Sequence, residues 1–263
     1  EDIRPELPVK NMLIAGGSRG IGAATARMAA ARGWRVAINY TSNSAAAEAL
    51  AAEINNSGGK AITIQADVAD EAQILRMFKA VDEQLGPLTA LINNAGVVDV
   101  AADVADMSVA RLQRMFNINV IGSFVCAREA VRRMSTTRGA ANFGAGYGLG
   151  GVIVNLSSAA SRLGSPHQYV DYAAAKGAID VMTIGLAKEV AVEGIRVNAV
   201  RPGLIETDIH ASGGLPDRVR ELAHLVPMQR GGTADEVAQA ILWLASAEAS
   251  YTTMSLVDVS GGR

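Results

Sequence analysis

A single α/β domain, with a seven-stranded parallel sheet covered by helices on both faces, is the fold this sequence predicts, on three observations. Short apolar runs alternate with longer segments of helical composition, the pattern of a doubly wound sheet buried on both sides. The first of these runs ends in a glycine-rich turn that opens directly into a helical segment. The chain has 263 residues, 49% of them hydrophobic and 19% charged, which suffices for one large core and excludes intrinsic disorder.

Strands are expected at residues 11–15, 35–40, 61–65, 88–92, 152–156, 195–200 and 256–259, each a short run of mostly apolar side chains. The segments 21–31, 44–55 and 71–85 are rich in Ala, Leu, Met, Arg and Glu, residues that lose little freedom in a helix. Gly33 and Gly58-Gly59 supply the left-handed residue on which helices often end. Residues 1–9, with Pro5 and Pro8, read as an irregular lead-in to one domain over 10–263. The stretch 139–151 holds six glycines in thirteen residues and reads as a flexible turn on the edge away from the ligand crevice; without a lysine it is no phosphate-gripping loop.

The balance of 24 basic and 26 acidic side chains gives a net charge of -2, which draws the chain to neither nucleic acid nor anionic membranes. No apolar stretch approaches the roughly 18 residues of a membrane span, and the first ten residues lack an export signal. A single cysteine, Cys126, and three histidines offer neither a disulfide nor a structural metal site, and a reducing cytoplasm is the expected setting.

After the first strand comes Ala15-Gly16-Gly17-Ser18-Arg19-Gly20-Ile21-Gly22. A pyrophosphate must approach backbone N–H groups at a helix N-terminus, and side chains would obstruct it, so glycines there point to dinucleotide binding on a Rossmann-type sheet. The glycine spacing resembles that of the short-chain dehydrogenase/reductase family. The resemblance extends along nearly the whole chain through Asp67-Val68, Asn93-Asn94-Ala95-Gly96, Asn119, Ser158, Tyr172 with Lys176, Pro202-Gly203 and Thr207. Within the family the chain is most similar to 3-oxoacyl-carrier-protein reductases and glucose dehydrogenases. It departs from the pattern at Ala15, where a threonine is usual, at Met254, where a glycine is usual, and by one extra residue between Ser158 and Tyr172. Loss of the threonine hydroxyl forfeits about one hydrogen bond, roughly 1 kcal/mol, and should loosen the loop after the fourth strand.

The resemblance implies a nicotinamide cofactor held by Gly16, Ser18, Arg19, Gly20, Ile21 and Gly22 of the turn, and by Asn94, Ala95 and Gly96 after the fourth strand. It further implies contacts from Pro202, Gly203, Ile205 and Thr207, and from Tyr172 and Lys176 themselves. Asp67 would take the adenine amine with Val68 on the ring, although an aspartate after a strand is also a common helix cap. Asn39, Tyr40 and Thr41 end the second strand, where NAD requires a carboxylate and none is present. That absence, with Arg19 near a 2'-phosphate, favours NADP over NAD; a solvated Arg19 is the alternative.

Tyr172 and Lys176 stand four residues apart in a helical segment, so both emerge on one face. An adjacent ammonium and an oxidised nicotinamide should lower the phenol's usual pKa near 10 and fit it for acid-base work. A half-buried aromatic and a solvated lysine are the plainer account. Ser158 lies at the carboxyl edge of the sheet and can hold a carbonyl oxygen; Ser157 is its competitor, because one residue of register reverses a strand side chain. The resemblance makes Asn119 a proton relay beside Lys176, against a buried asparagine satisfied by helix backbone. No metal is called for.

Residues 208–226 read as a mobile lid over the substrate. His167, Tyr169 and Asp171 either touch substrate or form a polar surface loop. A small free carbonyl or alcohol is the expected substrate. A carrier-bound acyl group docking on Arg132, Arg133 and Arg138 is the alternative, and a catalytically inactive sensor or scaffold is one of another class. The resemblance implies a homotetramer built on the two long helices around Asn119 and Lys176 and on the C-terminal strand.

Overall fold

The computed structural model describes residues 7–207 and 217–263. Seven strands, β1 (Asn11–Ala15), β2 (Arg35–Tyr40), β3 (Lys60–Gln65), β4 (Ala90–Asn93), β5 (Gly151–Leu156), β6 (Ile195–Pro202) and β7 (Leu256–Val259), form one sheet. Their order is β3-β2-β1-β4-β5-β6-β7, and every pairing is parallel. Order reverses between β1 and β4, so the crevice for a ligand opens there, beyond the carboxyl ends of the strands.

Eight helices are used below: α1 (Gly20–Ala31), α2 (Ser44–Asn56), α3 (Glu71–Gln84), α4 (Val109–Phe116), α5 (Gly122–Met134), α6 (Gly139–Phe143), α7 (Ala160–Leu163) and α8 (Val170–Val190). Alternation along β1 sorts them onto two faces. Met12 and Ile14 pack with α1, α2 and the helix Ala234–Ala245; Leu13 packs with α3, α5 and α8. The two clusters meet only through the strands, which is why those strands read as unbroken apolar runs.

The fourth strand runs from Ala90 to Asn93 rather than over the expected 88–92, although Thr89 already donates its N–H to the Asn11 carbonyl and accepts from the Val152 N–H, each at 3.0 Å, while its hydroxyl donates to the Val9 carbonyl at 2.7 Å. The glycine-rich stretch is corrected more fundamentally. It opens with helix α6, and a Cβ on Gly139 would stand 2.3 Å from the Arg133 carbonyl oxygen and 2.5 Å from the Gly148 backbone. Close packing explains Gly139, Gly150 and Gly151, whereas Gly144 and Gly146 stand in open space with φ of 94° and 96°.

Arg133, expected as a docking residue, is buried in the same region. Its guanidinium bonds Asp82 at 2.9 Å and Glu129 at 3.3 Å and lies 4.4 Å from the Phe143 ring centroid. It ties α3, α5 and α6 together and is closed to a partner.

Met254 adopts φ 66°, a left-handed conformation that costs a side-chain-bearing residue about 1–2 kcal/mol. It is held there by its N–H, which donates to the Val197 carbonyl at 2.7 Å. Met254→Gly is therefore expected to stabilise the fold by roughly 1 kcal/mol and to raise Tm by about 2–4 °C in thermal unfolding.

Candidate active site

Gly16 turns the chain out of β1 with φ 66°, so close to the loop after β4 that a Cβ would stand 2.9 Å from the Ala95 Cα. A Cβ on Gly22 would meet the Gly16 carbonyl oxygen at 2.3 Å, so α1 packs directly on the turn. The loop after β4 is tied to the turn by the Asn94 amide, which donates to the Gly16 carbonyl at 2.8 Å.

Asn39 is corrected from cofactor contact to brace. Buried at the end of β2, it accepts from the Gly16 N–H at 3.0 Å and donates to the Ala66 carbonyl at 3.1 Å. Tyr40, partly exposed, and Thr41, exposed, are the residues of that group left facing outward. Asp67 accepts from the Ala69 N–H at 2.9 Å, and Asp70, not Asp67, caps α3.

Helices α2, α3 and α4 begin with the side-chain caps Asn43, Asp70 and Ser108, whereas α1 begins at Arg19 with no side-chain cap and no acid in its first turn. Its leading N–H groups thus have no side-chain acceptor at a terminus whose dipole favours an anion. A dinucleotide pyrophosphate fits this end of the helix.

Ile21, Asn94, Gly96, Ser158, Tyr172, Lys176, Pro202, Gly203, Ile205 and Thr207 all line one cleft of about 450 Å³. Asp67, Val68, Tyr40, Thr41 and Asn119 do not line it, nor do Ser18 and Arg19. The lid residues 208–216 lie outside the described residues; the rest of that segment begins with the short helix Arg218–Leu222.

Helix α8 sets Tyr172 and Lys176 one turn apart, with the Lys176 Nζ 5.5 Å from the Tyr172 ring centroid. That ammonium donates to the Leu156 carbonyl at the end of β5, at 2.7 Å. Ser158 lines the cleft beside Tyr172, its hydroxyl accepting from the Ala160 N–H at 3.1 Å, while the Ser157 hydroxyl points to α8 and donates to Asp180 at 2.5 Å. Both residues border the cleft, but the Ser157 hydroxyl is engaged by α8 through Asp180 and the Lys176 carbonyl.

Burial pushes the Tyr172 phenol up to about 12, with the nearby Ser158 hydroxyl opposing in part. Burial also takes the Lys176 ammonium down to about 8 against the attraction of Asp180. The lowering expected from the ammonium together with an oxidised nicotinamide is opposed here by burial, with the ammonium itself aimed at the Leu156 carbonyl.

Asn119 lies in a π-helical turn, Asn117–Ile121, between α4 and α5. Its side chain accepts from the Val97 N–H at 3.2 Å and donates to the Val97 and Met115 carbonyls, each at 3.0 Å. It pins the loop after β4 to the helix, and its amide is already occupied by backbone, which is the structural alternative to a relay. Gly96 keeps this junction open: a Cβ there would stand 2.7 Å from the Asn119 Oδ1 and 3.5 Å from the Lys176 Nζ.

The Ser165–Asp171 region divides. Asp171 is buried and ion-paired with Arg111 at 2.9 Å, and exposed His167 meets Asp103 at 2.7 Å. Tyr169 lines the cleft. Two features escape the sequence. Asp180 connects Ser157 to Arg201 at 3.6 Å, and its position four residues beyond Lys176 on one helix was the available signal. Arg218, which also lines the cleft with its guanidinium 5.7 Å from the Tyr169 ring centroid, gave none.

A family model described as enoyl-(acyl carrier protein) reductase matches residues 15–263. The chain is 53% identical over 251 residues to the uncharacterized oxidoreductase YgfF of Escherichia coli, covering 95% of this chain and 98% of that one. A short-chain dehydrogenase/reductase from Serratia marcescens superposes with TM-score 0.86 at 31% identity, covering 98% of this chain and 99% of the other. A blue fluorescent protein from a metagenomic library, solved in complex with NADPH, superposes with TM-score 0.85 at 34% identity, covering 98% and 99%. With its uncapped glycine turn at the switch of strand order and a serine, a tyrosine and a lysine converging beside it, the chain belongs to the short-chain dehydrogenase/reductase family of oxidoreductases.

Proposed function

We propose that this protein interconverts a carbonyl and an alcohol on a small free substrate, with NADP(H) as its cofactor. The observation that carries the reading is the convergence of Ser158, Tyr172 and Lys176 in one cleft with the glycine turn's Ile21. When bound, the nicotinamide supplies or accepts hydride. Ser158 holds the substrate oxygen. Tyr172, neutral because burial keeps its proton on, donates that proton to the oxygen in reduction and takes it back in oxidation. Lys176, fixed on the Leu156 carbonyl, holds positive charge beside the phenol.

The cofactor preference is supported by Arg19, exposed at the glycine turn, and by the absence of any acid over Tyr40 to Asn43. The NADPH in the metagenomic neighbour agrees with it. A carrier-bound substrate loses support, since Arg133 is buried and Arg138 pairs with Glu193 at 2.7 Å. The juxtaposed Ser158, Tyr172 and Lys176 weigh against an inactive scaffold. Exposed Ile121, Phe124 and Val181, on the Asn119 turn, α5 and α8, support the homotetramer, and a cytoplasmic setting remains part of the reading.

A screen of aldehydes and ketones at 340 nm with NADPH and NADH tests the proposal, and no oxidation of either by any carbonyl would refute it. Tyr172→Phe is expected to lower kcat at least about a hundredfold while cofactor binding, followed by fluorescence, persists. Arg19→Ala is expected to raise KM for NADPH about tenfold and KM for NADH little, since only the former loses a charge-assisted contact. Reduction should be level below about pH 8 and fall above it as Lys176 loses its proton, whereas oxidation should climb with pH because it needs the phenol deprotonated.

A further inference from the structure

No aspartate or glutamate side chain lines the cleft among the described residues, whereas Lys176, Arg218 and Arg263 do. Lys176 is accounted for by the Leu156 carbonyl and by Asp180. Arg218 is not. Of the other buried or half-buried arginines, Arg111, Arg133 and Arg201 are met by the carboxylates of Asp171, Asp82 and Asp258, and Arg196 by the Ser246 and Thr252 carbonyls. Half-buried Arg218 has no carboxylate partner among the described residues; it has only the side-chain oxygen of Gln168 and the face of Tyr169. Arg263 adds a like charge that disfavours its protonated form.

A guanidinium withdrawn from water without a counter-charge is unfavourable, and an anion in the cleft would relieve it. Gln168 and Tyr169 hold the guanidinium in place, leaving further N–H groups of a planar fork that matches a carboxylate. The cleft of about 450 Å³ must also take the nicotinamide end of the cofactor, so the substrate's share is small. Leu163 and Leu222 add apolar wall, suited to a short hydrocarbon spacer.

Resting on the oxidoreductase reading of this cleft, we propose that the substrate is an oxo acid or its alcohol, with its carboxylate bound by Arg218 and its carbonyl at Ser158 and Tyr172. The test compares reduction of succinic semialdehyde and of its methyl ester by NADPH, in the wild-type chain and in Arg218→Met. The acid is expected to exceed the ester in kcat/KM at least about tenfold, with the ratio collapsing toward one in the variant. The loss should fall on KM for the acid, not on KM for NADPH.

Equal use of acid and ester by the wild type would overturn the proposal, as would a variant whose defect lies in KM for NADPH, which would assign the arginine to a cofactor phosphate. Turnover of benzaldehyde but of neither probe would leave the oxidoreductase reading standing and sink this one. If no carbonyl oxidises NADPH, that reading falls by itself, and calorimetric titration with succinate decides the anion site. Binding to the wild type that disappears in Arg218→Met supports the site, and absent or undiminished binding overturns it.

Discussion

Everything around the cleft is arranged to keep an ammonium out of water. Burying a lysine is unfavourable unless its donors are met, and here the end of β5 meets it: the Leu156 carbonyl, freed where the strand stops, accepts from Nζ at 2.7 Å. One turn further along α8, Asp180 supplies negative charge, itself held by Ser157 at 2.5 Å and by Arg201 at 3.6 Å. Arg201 continues to Asp258 at 2.9 Å, so the chain of charges joins α8 to β6 and β7. Fixing Lys176 in this way also fixes the register of β5 against α8. Ser157 then faces the helix and Ser158 the cleft.

Withdrawal from water acts in opposite senses on the two titrating groups: the phenol keeps its proton more firmly and the ammonium less so. The two values, about 12 and about 8, stand apart from neutral pH on the same side, leaving a neutral acid beside a cation. Such a pair is poised to give a proton to an oxygen that is gaining electrons. The reverse direction needs further stabilisation of phenolate, and the positive ring of an oxidised nicotinamide is suited to give it.

Local patterns were legible in the sequence, and contacts between distant segments were not. The glycine turn, the i,i+4 pair and the apolar strands each declare themselves within a dozen residues, because sterics and helical period act at that range. Thus Tyr172, Lys176, Ser158, Gly16 and Gly22 could be placed from composition and spacing with a family resemblance behind them. Asn39 misled, since its position at a strand end is visible while the direction of its side chain, inward under the loop, depends on β3 carrying Ala66 to it. Arg133 misled for the same reason: among other arginines it reads as surface, yet Asp82 and Phe143, from different elements, enclose it. The acidity of Tyr172 depends on burial, which spacing does not report.

The parts that hold the chemistry differ in kind from the parts that would select a substrate. Ser158 follows the end of an interior strand, where its hydroxyl accepts from the Ala160 N–H at 3.1 Å, and Lys176 sits on a 21-residue helix, tied to the buried Leu156 carbonyl at 2.7 Å. Arg218 and Gln168 lie on a five-residue helix and a turn outside regular structure, and bond chiefly to each other across the mouth of the cleft. Substitution at the mouth would alter which molecule enters without moving the strand end that fixes Lys176. A guanidinium left without a carboxylate there is therefore a choice the rigid centre neither requires nor opposes. The proposed selectivity for an acid follows from that independence: one charge at the rim can change the substrate class while Ser158, Tyr172 and Lys176 keep their geometry.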